Sequence, residues 1–131
     1  MPATDASSPA ASANQSIIWG ALFAATGVGL GAFGAHAMKD HYDEAALRAF
    51  ETGVRYQMLH ALALLACGIL AKQGIPTQLA SRLFAAGILL FSGSIYGLAL
   101  IEAKWLGPIT PIGGSAFLAG WGGLAVAAGK R

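Results

Sequence analysis

The stretch LFAAGILLFSGSIYGLALI, residues 83–101, runs from Arg82 to Glu102 without one charged side chain. A helix needs about 20 apolar residues to cross a hydrocarbon core roughly 30 Å thick. The stretch also lacks the polar stripe that a soluble surface helix carries. It reads as a membrane span. Working outward, no charge falls between Asp5 and Lys39, and residues 56–71 and 105–129 are uncharged as well. Segment 56–71 is short by itself and becomes adequate if its helix starts near Glu44 and Arg55 snorkels toward the headgroups. Four spans follow, at about 17–36, 54–71, 82–101 and 111–128.

Composition agrees with that reading. Of the 131 residues 56% are hydrophobic and 11% charged, where a soluble domain carries roughly 25% charged. The balance excludes a disordered chain, and a net charge of +2 gives no dense basic face for nucleic acid. Cys67 is the single cysteine, so neither an intrachain disulfide nor a multi-cysteine metal cage is expected. The fold class is an all-α integral membrane protein, four transmembrane helices in an up-down antiparallel bundle joined by short connections.

Capping chemistry sets the expected boundaries. Asn14 or Ser16 is expected to cap the first helix, Asp43 the second, Thr77 the third, and Thr110 the fourth with Pro111 at its first position. Lys72-Gln73-Gly74 ends the second helix with a cation and a glycine, and Gly107-Pro108 breaks the chain after the third. Residues 1–15 are Ala/Ser/Pro-rich and aperiodic, and read as a disordered tail ahead of a membrane domain at 16–131. The tail holds no lysine or arginine, and the apolar stretch after it exceeds a signal peptide's 7–15 residues. A retained helix is expected.

Antiparallel tracing puts both termini at one end of the bundle, end A, with Lys72, Arg82, Lys130 and Arg131. End B holds Lys39, Arg48, Arg55 and Lys104. The cation counts balance, so the positive-inside rule abstains. End A carries its cations without nearby acids and is taken as cytoplasmic. End B mixes cations with Asp40, Asp43, Glu44, Glu51 and Glu102, and it also gathers His36, Tyr56, Gln57, His60, Tyr96 and Thr110.

Those residues define a candidate binding surface: His36, Glu51, Arg55, Tyr56, Gln57, His60, Tyr96 and Thr110, with residues 50–60 as its core. Glu51 and Arg55, four apart, form either a helix-stabilising ion pair or a site for a lipid headgroup or anionic ligand. His36 and His60 come from adjacent helix ends and could ligate haem or metal. Short glycine-rich helices offer no evident haem cavity, and hydrogen bonding across helices is the simpler use, so no cofactor or metal is expected. In lipid, helices associate through small residues. Gly27 with Gly31 and Gly93 with Gly97 stand at G-x-x-x-G spacing, and Gly113 with Gly114 opens the last helix; these are contacts within the bundle or a homodimer face. Cys67 reads as a small apolar filler, Trp19 and Trp105 as interfacial anchors, and Trp121 as packed against glycines.

GAFGAH at 31–36, FETGVRYQMLHA at 50–61, SGSIY at 92–96, TPIGG at 110–114 and Gly120-Trp121 together resemble the family catalogued as domain of unknown function 423, related to animal transmembrane protein 256. The resemblance covers about 17–127 and leaves the tail outside. It implies four membrane helices and, in bacteria, the inner membrane, and it brings no established activity, substrate or catalytic residue. No catalytic triad, carboxylate pair or metal-ligand spacing suggests an enzyme. An exporter of this size would rely on an acid deep in the membrane, whereas Glu51 and Glu102 lie at the ends. A non-enzymatic protein that binds a partner is expected, with the lipid bilayer around it and another membrane protein or a second copy as partner. An oligomeric transporter or channel is the alternative.

Overall fold

The structure, a computed structural model, describes residues 8–130. Its helices are α1 (Pro9–His36), α2 (Glu44–Lys72), α3 (Gln78–Gly87), α4 (Gly93–Ile101) and α5 (Ile109–Gly129), with a π-helical turn at Ile88–Ser92 and a 3-10 turn at Lys104–Leu106. The π turn fuses α3 and α4 into one span, Gln78–Ile101. Among the described residues four helical spans are long and apolar enough to cross a membrane. They form an up-down antiparallel bundle. α1 lies along α2, the third span packs on α2, and α5 packs on α3 and the π turn.

α1 starts eight residues before its expected first residue. Ser8 caps it, its hydroxyl accepting from the Ala11 amide at 3.2 Å, and Pro9 takes the first helical position. Positions 9–15, expected to belong to a disordered tail, are therefore helical; the expectation for residues 1–7 lies outside the described residues. The reason is packing. Ala13 and Ser16 are buried, and Ser16 donates to the Leu64 carbonyl of α2 at 2.7 Å, so it is a contact and not a cap. Asp43 caps α2 as expected, accepting from Ala46 at 2.8 Å, and Gly74 with φ 90° ends it. Thr77 stands at the N-cap position of α3 as expected, but its hydroxyl donates to the Cys67 carbonyl at 2.7 Å instead of capping; Thr110 lies inside α5 and pairs with Ser94. The third span stops at Glu102, in the left-handed region at φ 52°, ahead of Gly107-Pro108.

Close approach of α1 to α2 runs on a seven-residue period. A Cβ on Gly20 would lie 2.8 Å from the Ala61 carbonyl oxygen, one on Gly27 2.5 Å from Met58 Sδ, and one on Gly34 2.8 Å from the Phe50 ring. Two helices crossing at a shallow angle bring every seventh residue back to the same face. The G-x-x-x-G pairing needs correcting accordingly. Gly31 sits at the edge of the seam, where a Cβ would be 3.5 Å from Val54, and Gly93 faces open space. Gly97 meets Leu106, and Gly114 only the Phe91 ring at 3.8 Å, while Gly113 abuts the backbone of Phe91 in the π turn.

Two buried clusters fill the bundle. Ala63, Leu64, Cys67, Ala80, Phe84, Ile88 and Phe117 form one. Met38, Phe50 and Ala99 form the other, at end B. Because a backbone cannot give way as a side chain can, Gly113→Ala is expected to cost about 1–3 kcal/mol through overpacking, and Gly31→Ala to melt close to the parent. Thermal unfolding in detergent checks this; equal melting of the two variants would remove Gly113 as a contact point.

Candidate functional site

α2 is the element around which the polar residues arrange. Gln57 points from it into the bundle, 3% exposed. Its amide nitrogen donates to the Phe23 carbonyl at 2.8 Å and to Thr26 Oγ1 at 2.9 Å, both on α1. Its oxygen accepts from the Tyr96 hydroxyl of α4 at 2.6 Å. One side chain thus ties three helices. Nearby, Ser92 donates to the Gly53 carbonyl at 2.6 Å.

One turn along α2, His60 is also buried. Trp121 Nε1 donates to its Nε2 at 3.0 Å. Since the indole can only donate, Nε2 accepts and the proton sits on Nδ1, which donates to the Tyr56 carbonyl at 2.7 Å. Both ring nitrogens are used, and no lone pair is left to meet a metal or haem iron. The ring stacks on Phe117 with centroids 3.6 Å apart and planes 10° apart, and Phe84 and Trp121 close around it.

The candidate surface therefore divides. Gln57, His60, Tyr96 and Thr110 are engaged inside the bundle, with Phe50 fully buried beside them, so the stretch 50–60 splits: Phe50, Gly53, Gln57 and His60 turn inward, while Glu51, Arg55, Tyr56 and Leu59 stay exposed. Tyr56 is partly open, its ring against Phe91 and Phe117. Glu51 and Arg55 are exposed. The expected ion pair between them is not formed; among the described residues the ion pair is Glu44–Arg48 at 3.9 Å, nearly two turns nearer the helix start. Exposed pairs gain little in high dielectric, so neighbouring charges trade partners readily. His36 is exposed at the last residue of α1 and shares no contact with His60. Trp121 packs on His60 and Phe84 rather than on glycines.

Thr26 escaped sequence reasoning although a hydroxyl deep in an apolar helix needs an acceptor or a partner. At end A, Ser12 and Ser81 were also missed, and Ser16 was read only as a cap. They carry the same signal, and Ser81 donates to Ser16 at 2.8 Å across α3 and α1.

The sequence profile described as "Protein of unknown function (DUF423)" matches residues 30–114. The chain is similar to the UPF0382 membrane protein YwdK of Bacillus subtilis (strain 168), 46% identical over 117 residues that make up 87% of this chain and 95% of the relative. A UPF0382 membrane protein of Staphylococcus aureus (strain bovine RF122 / ET3-1) is 47% identical, with 80% of this chain and 87% of the relative covered. One from Staphylococcus epidermidis (strain ATCC 12228 / FDA PCI 1200) is 45% identical over the same shares. No solved structure matches.

Tyr96→Phe would strand the Gln57 carbonyl oxygen in the bundle, where an unmade hydrogen bond costs about 1–3 kcal/mol. A lowered unfolding midpoint in detergent is the expected outcome, and an unchanged midpoint would mean that the Gln57 bridge adds nothing to stability.

Proposed function

The chain belongs to the DUF423 family of membrane proteins of unknown function, and from there we propose a non-enzymatic protein of the bacterial inner membrane that binds and stabilises another membrane protein. One observation carries this reading: the outward stripe of α2. Glu51 and Arg55 stand exposed at its end B, and Leu59, Leu62 and Ile69 continue the same face into the membrane, each more than half exposed. Residues three and four apart share one helix face. The stripe thus offers an apolar stem for a partner helix and two opposite charges at headgroup level for its flanking residues. A second copy of the chain is one partner of that kind.

The interior supports the same choice. No buried side-chain nitrogen or oxygen among the described residues lacks a hydrogen-bond partner. Chemistry or conduction through the bundle would have to break those bonds, which argues against both the enzyme and the alternative of an oligomeric transporter or channel. The double variant Glu51→Gln, Arg55→Gln should fold and lose a membrane protein that co-purifies with the parent chain in mild detergent, read by mass spectrometry. Recovery of the parent only as a monomer with bulk lipid would overturn the reading, and a liposome ion flux abolished by Glu51→Gln would replace it with transport.

The same proposal sets both termini in the cytoplasm, since Lys72, Arg82 and Lys130 cluster at end A without a described carboxylate. A reporter fused after Arg131 should be active only as a cytoplasmic enzyme; periplasmic-type activity would invert the topology.

A further inference from the structure

At end A the first turns of α1, the last turns of α2 and the start of α3 enclose a cleft of about 490 Å³, within the roughly 300–1,000 Å³ range of sites that hold small molecules. It shares no lining residue with the partner-binding stripe of α2 and is independent of it. Leu64, Cys67 and Ala85 give it apolar walls, and Trp19, half exposed, stands in its lining. Along one side the hydroxyls of Ser12 and Ser16 are joined to α3 through Gln78 and Ser81, at 3.2 Å and 2.8 Å. Arg82 also lines it, exposed and with no carboxylate partner among the described residues.

Charge names the occupant. Asp40, Asp43, Glu44, Glu51 and Glu102, all the described carboxylates of side chains, sit on or beside the turns of end B, whereas Arg82, Lys72 and Lys130 lie at end A. α1 spans 28 residues, about 42 Å at 1.5 Å per residue, so it outruns the hydrocarbon core by about two turns. The cleft beside its first turns is therefore at headgroup depth. Apolar walls reject water, the Ser12 hydroxyl, which accepts from Gln78, can donate its own proton to an ester oxygen, and a guanidinium forks onto phosphate oxygens. We propose that this cleft holds one anionic phospholipid, its acyl chain against Leu64 and Ala85 and its phosphate at Arg82.

Native mass spectrometry of the full chain, released from detergent micelles containing equimolar phosphatidylglycerol and phosphatidylcholine, tests this. One phosphatidylglycerol per chain should be retained in preference to phosphatidylcholine. Arg82→Gln should lower that preference by about five-fold, the effect of one basic residue at a lipid surface. Lys130→Gln, at the same end and outside the cleft, should leave it unchanged. Ser12→Phe should displace the lipid by filling the cleft with Arg82 intact. Equal retention of the two lipids, or equal loss in the Arg82 and Lys130 variants, would overturn the proposal. So would displacement of the lipid by inorganic phosphate, which would mark a site for free anions.

Discussion

Gln57 has no water to turn to. Its amide lies inside a membrane bundle, and each of its polar atoms must find a partner there, because an unmade hydrogen bond in hydrocarbon costs several kcal/mol. Phe23 and Thr26 on α1 and Tyr96 on α4 supply those partners. Sliding any of the three helices by one residue would strand at least one group. The glycines depend on the same placement. A Cβ on Gly27 would lie 3.4 Å from the Gln57 amide nitrogen, and one on Gly53 only 2.7 Å from the Tyr96 ring. Bare backbone at these two positions lets the helices come near enough for the bonds to close. Small residues and buried polar groups act here as one device, which is how association proceeds when burial of apolar surface gives no driving force.

α5 is held differently. It meets the third span by close backbone approach, at Gly113 and at Gly120, whose Cβ would lie 2.6 Å from the Phe84 ring. Toward α2 it reaches through rings, with Phe117 stacked on His60 and Trp121 bonded to it. A neutral imidazole with both nitrogens engaged can serve as a flat aromatic surface, and that is its use here. His60 is a structural bolt, hydrogen-bonded across helices as the simpler reading of the sequence had it.

The two ends of the bundle carry different chemistry. At end B the acids and several cations lie exposed around α2 and the connecting turns, above a bundle whose polar atoms are already occupied. At end A serines, glutamines and arginine border a cleft with apolar walls. On the proposed reading, so little free polarity in the middle leaves the ends and outer faces to meet lipids and other membrane proteins.

Four spans, the Asp43 cap, the Gly74 stop and the sorting of charges between two ends were all legible in the chain, because each depends on contiguous residues: hydropathy over about 20 positions, or a cap beside its helix. The start of α1 at Ser8 was present too, as Ser followed by Pro, yet only the docking of Ala13 and Ser16 on α2 shows why the helix extends there. Facing direction was not legible. In helices apolar all round, no amphipathic pattern tells which side of α2 turns inward, so Gln57, His60 and Tyr96 read as surface beside Glu51 and Arg55. The seven-residue glycine seam, the π turn opposite Gly113 and the cleft at end A have the same origin. Sequence by itself determined that the chain is a membrane protein with four helices long and apolar enough to cross. Tertiary structure alone decided which polar groups are spent within the bundle and which remain outside it, because that depends on the rotation of each helix about its own axis, and rotation is settled only by the neighbour it packs against.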